Sequence, residues 1–199
     1  ELHFALGKAY DDIGDYEVAA RHLRAGNALV HRLTKWSRKD WRRSVEARLA
    51  ARPIQQRVEP AGDFTPVFIV GMPRSGTTLF AELLSRYPLV CNRGELPWIA
   101  DLAERADLSG DVSHKALQRA AMIYTAQSRQ DDAADAQWFL DKQPLNFRYV
   151  DLMLAMFPHA KIIHCQRGVR DIALSLWKQC FTKDVQRYAY DLDDIALGP

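Results

Sequence analysis

Arg74, Ser75, Thr77 and Thr78 stand together in the stretch Pro66-Val-Phe-Ile-Val-Gly-Met-Pro-Arg-Ser-Gly-Thr-Thr-Leu79, and residues of these types can hold an oxyanion. The guanidinium carries a fixed positive charge, and the three hydroxyls add donors. An anion also needs aligned backbone N–H groups, and the flanking residues provide for them. Val67 to Val70 is an apolar run that reads as a buried parallel strand. It breaks at Gly71 and Pro73, and a helix-competent segment follows from Thr77. A helix N-terminus placed after a strand presents free N–H groups to a ligand. Gly71 and Gly76 let the backbone curl and approach that ligand closely. The stretch reads as a phosphate cradle, with an ordinary strand-to-helix turn as the plain alternative.

The cradle differs from that of nucleotide triphosphatases. Their pattern, G-x-x-x-x-G-K-[ST], needs a Lys directly after the second Gly. Here Gly71 and Gly76 have the right spacing, but Thr77 stands at the Lys position and the cation has moved to Arg74. A second segment repeats the architecture. Ala160 to Arg167 is an apolar strand ending in Arg, and Gly168-Val-Arg-Asp171 leads into a helix that runs to Trp177. Asp171 is placed to cap that helix. Ser175 follows Arg167 by two helical turns, and the chain doubles back at the turn, so both side chains can converge on one small anion. Ordinary surface arginines at a helix start are the plain alternative.

Other segments alternate in the same way. Leu89 to Glu95 reads as a strand ending in a turn, and Trp138 to Lys142 as a short strand. Leu96–Arg105, His114–Ser128 and Phe147–Met156 read as helices, and Asp131–Asp135 as a solvated acidic loop. The alternation predicts an α/β fold, a parallel sheet flanked by helices. Such sheets bind ligands at the carboxyl ends of their strands. The Gly71–Thr78 loop, Glu95, Lys142 and Arg167 all fall at such ends.

Composition sets broad limits. With 199 residues and 48% apolar content, the chain can bury a full core. A net charge of +2 argues against a nucleic-acid polyelectrolyte. Cys91, Cys165 and Cys180 have no metal spacing and imply no disulfide framework. Cys91 and Cys165 read as buried thiols in strands, and a reducing, cytoplasmic compartment is expected. The six His show no metal-ligand spacing, and no metal is expected. His164 reads as a sheet or core residue. No apolar run of about eighteen residues predicts a membrane span, and no signal peptide is visible. The chain starts at Glu1 without Met, so its N-terminus reads as truncated.

Leu6-Gly7, Tyr10, Gly14-Asp15-Tyr16, Ala19, Leu23 and Gly26 follow the spacing of a tetratricopeptide (TPR) unit. Helices are expected over Leu2–Ile13, Tyr16–Val30 and Trp36–Ala50, the third burying Trp41, Val45 and Leu49 on one side. A lone unit cannot bury its apolar faces, so the pair is expected to end an array, with the third helix as its cap. The organisation is therefore 1–51 TPR pair and cap, 52–65 linker, and 66–199 catalytic domain.

Pro73-Arg-Ser-Gly-Thr-Thr78 resembles the P-[KR]-S-G-T-T loop of the sulfotransferases that use 3′-phosphoadenosine 5′-phosphosulfate (PAPS), where it binds the 5′-phosphosulfate. Arg167, Arg170, Asp171 and Ser175 match the R-x-x-R-D-x-x-x-S segment that binds the donor's 3′-phosphate in that family. The resemblance covers about Pro66 to Thr182. It implies a P-loop-like sulfotransferase fold, PAPS as co-substrate, and donor binding by Arg74, Ser75, Gly76, Thr77, Thr78, Arg167 and Ser175. Domains of this family continue with helices that close over the adenine and shape the acceptor pocket, so a chain stopping at Pro199 reads as C-terminally incomplete.

Sulfuryl transfer is an in-line displacement that needs a base for the acceptor hydroxyl and cations for the leaving oxygen. Cys91-Asn-Arg-Gly-Glu95 is similar to the R-C-G-E-E segment of the tyrosylprotein sulfotransferases, which implies Glu95 as base. The order of Cys and Arg differs here, and a single Glu is present. Glu95 equally reads as a helix N-terminal acid beside Pro97. Lys142 resembles the K-x-P lysine that tyrosylprotein and glycan sulfotransferases hold near the bridging oxygen, against the alternative of a solvated strand-end Lys. Arg74 would share its task. Asn146 either orients the Lys142 loop or touches the acceptor. The acceptor is a hydroxyl of a protein tyrosine, a glycan or a small alcohol, and the TPR helices favour a peptide or protein as acceptor or partner. The rival readings are a P-loop nucleotide kinase and a TPR interaction protein with an inactive sulfotransferase-like domain.

Overall fold

The computed structural model describes residues 1–50, 54–59, 63–105, 112–130, 135–181 and 184–196. They form two compact units, one made of residues 46–166 and the other of residues 1–45 with 167–199.

The first unit is built on a four-stranded parallel sheet in the order β2-β3-β1-β4. The strands are β1 (Thr65–Gly71), β2 (Val90–Asn92), β3 (Trp138–Asp141) and β4 (Lys161–Cys165). Pairing runs Thr65 with Trp138, Val67 with Lys161, and Val90 with Trp138. β1 has a neighbour on each side and helices over both faces, so its whole apolar run is buried. Its side chains alternate between the two faces. Val67 and Ile69 pack with Ala81 of α4 (Thr77–Leu84) and Leu140. Phe68 and Val70 face a larger cluster with Ile99 of α5 (Trp98–Arg105), Leu117 and Tyr124 of α6 (His114–Ser128), and Leu152 and Met153 of α7 (Val150–Met156). A single layer covers the α4 side, where Leu79, Leu83 and Tyr87 remain exposed.

Several expectations shift for physical reasons. The helix expected from Phe147 starts earlier, as a 3-10 turn over Pro144–Tyr149, because Pro144 at its start has no N–H to satisfy. β4 pairs only with β1 among the described strands, so His164 is exposed, not a core residue, and Cys165 is half-buried. Cys91 in the short strand β2 is half-buried too. Val58 and Phe64 of the stretch read as linker are buried in the larger cluster, and Val58 N–H donates to Ala155 O at 2.8 Å. Residues 131–134 of the acidic loop lie outside the described residues.

In the second unit α1 (Leu2–Asp12) packs on α2 (Tyr16–Leu33). A Cβ at Gly7 would meet Leu23 at 2.8 Å, so this glycine is what allows the helices to approach so closely. Phe4 and Leu23 share a cluster with Tyr190, Trp177 and Phe181. Asn27 Nδ2 donates to Trp177 O at 2.9 Å, and Lys178 pairs with Asp11. The apolar side of the pair is thus covered by α8 (Val169–Trp177) and the chain that follows it. α3 (Arg38–Ala50) has no fully buried side chain; Trp41 and Val45 of the expected inward side are half-buried, whereas Leu49 is 80% exposed. Residues 46–50 of this helix belong to the 46–166 unit, where Arg48 donates to Arg148 O at 2.9 Å and pairs with Asp151.

Candidate active site

The end of β1 and the start of α4 build the cradle. Gly71 takes a φ of 149°, and a Cβ there would lie 2.4 Å from Cys165 O, so only glycine lets β1 stay beside β4 at this point. Arg74 holds a left-handed φ of 72°, which is uncommon outside glycine and characteristic of functional turns. Gly76 follows with a φ of 96°. Ser75 N–H closes the turn onto Met72 O at 3.1 Å. The first main-chain bond of α4 is Phe80 N–H to Gly76 O at 3.0 Å, so the N–H groups of its opening turn have no main-chain acceptor among the described residues. Alternating right- and left-handed residues ahead of a helix start make a concave row of donors suited to an anion. Arg74 and Thr78 are exposed at this lip, while Ser75 and Thr77 are buried beneath it. Ser75 Oγ has no hydrogen-bond partner among the described residues.

The carboxyl ends of β2 and β3 bring two further candidates together. Past the ladder, Arg93 N–H donates to Leu140 O at 2.9 Å and Lys142 N–H to Gly94 O at 2.8 Å. Gly94 sits at a φ of 70° and its N–H meets Asn92 Oδ1 at 3.0 Å, which turns the chain sharply before Glu95. Lys142 Nζ then donates to Glu95 Oε1 at 2.5 Å. The lysine side chain is 9% exposed and the glutamate 51%, so the pair lies at a boundary with solvent on the carboxylate side. Lys142 is therefore not the solvated strand-end lysine of the plain reading, and the Glu95 carboxylate is bound to this ammonium.

Asp141, beside Lys142, is a group to which the sequence assigns no role. It is buried, and its Oδ2 accepts from Tyr124 OH at 2.8 Å. Burial pushes its carboxyl up to about 7, while the Tyr124 hydroxyl, the Leu96 N–H and the Lys142 charge oppose the shift. The same burial, with the Asp141 charge adding to it, pushes the Tyr124 phenol well up. An Asp in an apolar strand bordered by Lys was the visible signal, but its partner lies on a separate helix. Asn146 is buried, and its Nδ2 has no partner among the described residues.

Arg167 and Ser175 belong to the second unit, in the turn before α8 and on that helix. Gly168 occupies the N-cap position without a side-chain cap, so Asp171 lies inside the first turn instead of capping it. Its Oδ2 is 3.9 Å from Arg167 Nε, an exposed pairing. Arg170 is exposed and Ser175 half-buried. Among the described residues no group of three or more His, Cys, Asp or Glu is placed to hold a metal ion, and no helix is long and apolar enough to cross a membrane.

A parallel sheet carries at its strand ends a hydroxyl-rich turn with arginine at its lip and, beside it, a Lys–Glu pair, an arrangement of the α/β class. The chain belongs to the sulfotransferase family, whose sequence profile matches residues 66–198. It is 30% identical to an uncharacterized protein of Aquifex aeolicus (strain VF5), over 95% of this chain and 28% of that protein. It is 32% identical to the nodulation protein NoeE of Sinorhizobium fredii (strain NBRC 101917 / NGR234), over 55% of this chain and 30% of that protein. The chain thus spans less than a third of the length of these relatives.

Proposed function

We propose that this chain carries the donor site and reacting groups of a PAPS-dependent sulfotransferase that acts on an acceptor hydroxyl. The observation that carries the reading is the buried Lys142 held against Glu95 beside a cradle of the sulfotransferase type. The cradle suits the donor's 5′ end. A Cβ at the exposed Gly76 would meet nothing within 4 Å, so open space lies beside the N–H groups that have no main-chain acceptor among the described residues. Arg74, Ser75, Gly76, Thr77 and Thr78 would hold the phosphosulfate, and Arg167 and Ser175 the 3′-phosphate. The donor supplies an activated sulfuryl group whose departing phosphate oxygen gains charge.

The protein's own residues have complementary tasks. Lys142 and Arg74 offer cationic donors for that developing charge. Glu95, half open to solvent, is the carboxylate able to take the acceptor's proton. The acceptor reads as a hydroxyl of a peptide, glycan or small alcohol. The α1–α2 pair is read as a TPR-type element for a protein acceptor or partner, and the free cysteines suit a reducing, cytoplasmic compartment.

Isothermal titration tests the donor assignment. 3′,5′-ADP is expected to bind at least about tenfold more tightly than 5′-AMP or ADP, a difference of ~1.4 kcal/mol or more. Equal affinities would remove the 3′-phosphate contacts, and tighter ADP binding would favour a nucleotide kinase.

A further inference from the structure

Side chains alternate along β2, so Asn92 shares a face with Val90. Val90 packs on the cluster that holds Ala81 of α4, and the Asn92 side chain meets the same helix: its Nδ2 donates to Glu82 Oε1 at 3.3 Å. The other end of the amide turns back on its own chain. Asn92 Oδ1 accepts from Gly94 N–H at 3.0 Å, the two-residue reach by which Asn and Asp fold a turn. The groups on either side are held by main chain, Arg93 N–H on Leu140 O at 2.9 Å and Gly94 O by Lys142 N–H at 2.8 Å. The Gly94 N–H thus depends on a side chain where its neighbours depend on the sheet.

We infer that Asn92 is a positioning residue: its side-chain oxygen holds the Gly94 turn that leads into Glu95, and its nitrogen ties that turn to Glu82 on the helix that opens at the anion cradle. The inference rests on the reading of Glu95 and Lys142 as the working pair of the site. At a φ of 70° Gly94 lies in the left-handed region, and a local side-chain bond favours such a turn over continued strand. With its N–H on Asn92 and its carbonyl on Lys142, Gly94 is fixed from both sides, and so is the direction in which the chain enters Glu95. Glu82 settles which end of the amide faces the turn. A carboxylate only accepts, so it takes the NH2 end and leaves the oxygen to Gly94. Thr77 and Thr78 open the same helix, so one side chain joins the cradle's helix to the turn ahead of Glu95.

The test uses the full chain and reads acetylation of the Lys142 amine by peptide mass spectrometry, with amide hydrogen exchange alongside. A Glu95 no longer held against Lys142 leaves the amine open to the reagent. Asn92→Ala removes both bonds and is expected to raise the labelling rate by about fivefold or more, the scale of lost hydrogen bonds. Exchange should rise in the peptide containing Gly94 and stay at the wild-type level in β1, whereas a general loss of stability would raise both. Asn92→Asp keeps the oxygen that accepts from Gly94 but sets a carboxylate against Glu82, and should raise labelling by only about twofold. Adding Glu82→Gln to Asn92→Asp reverses the hydrogen bond, since the introduced carboxamide then donates to the introduced carboxylate, and should restore the wild-type rate. Wild-type labelling in a folded Asn92→Ala protein would overturn the inference. An Asn92→Asp rate that Glu82→Gln leaves unchanged overturns it equally, including where Asn92→Ala does not fold. Full sulfate transfer by Glu95→Gln would instead remove the pair from the chemistry and leave these labelling results standing, so the two failures are told apart.

Discussion

Lys142 Nζ lies 2.5 Å from Glu95 Oε1, with the lysine nearly enclosed and the glutamate half open to solvent. An enclosed ammonium keeps an anion beside it, because an unpaired buried charge costs several kcal/mol. In the absence of a ligand that anion is Glu95. In the proposed reaction a phosphosulfate oxygen would offer the ammonium a second anion, and accepting it would leave the carboxylate available as a base.

Glu95→Gln is therefore expected to lower sulfate transfer by about 10²-fold or more while changing donor affinity little, because a base contributes roughly 10²–10⁴ to rate without touching the donor phosphates. Transfer of radiolabelled sulfate and titration with 3′,5′-ADP separate the two effects. Wild-type turnover would assign the proton transfer to another group.

Arg167→Ala should weaken 3′,5′-ADP by about 2–3 kcal/mol, the scale of a charge-assisted contact to phosphate, and leave 5′-AMP binding unaltered. Equal loss for both nucleotides would place Arg167 outside the 3′-phosphate contact.

Gly76→Val places a branched side chain over the N–H row and should abolish 3′,5′-ADP binding. At a φ of 96° it also strains the backbone, so a stability loss of about 1–3 kcal/mol accompanies it. Gly76→Ala shares most of the backbone strain and adds less bulk, which isolates the steric part. Normal nucleotide binding by the valine variant would disqualify the loop as donor site.

The raised carboxyl of Asp141 gives stability a definite pH trend. Between 3.8 and about 7 the unfolded chain has lost this proton while the folded chain keeps it, so this group's contribution falls as pH rises through that window and levels off above it. Asp141→Asn cannot titrate. Denaturation midpoints should show the wild type losing stability relative to this variant as pH rises across the window. A constant difference would mean that the carboxyl is ionised throughout.

The parts of the fold that depend on local pattern were legible. β1 is a continuous apolar run because it is covered on both faces, and α6 spans His114–Ser128 as its periodicity indicates, with Ser113 Oγ capping Ala116 N–H. Long-range partners were not legible. Trp41, Val45 and Leu49 have helical spacing, and the first two are half-buried, but in the last turn Leu49 is exposed and Arg48 is half-buried instead, because its acceptor and counter-charge come from residues 148 and 151. His164 sits in a strand-like run, yet its exposure follows from β4 having one neighbour among the described strands. The end-of-strand placement of Glu95 and Lys142 could be read from sequence, whereas their contact depends on the turn at Gly94. Asp141 shows the same limit, since its partner Tyr124 lies on another element.

The main-chain bond between Lys142 and Gly94 extends the sheet's hydrogen bonding one step past its last strand residue. The placement of the Glu95 and Lys142 side chains is thereby set when the domain folds, and little rotational entropy is left to lose if a ligand binds there. Two separate flexible loops would have to freeze at each encounter. Here the arrangement should persist between turnovers, and it should vanish only with the sheet itself, so heat would inactivate the site and unfold the domain at one temperature.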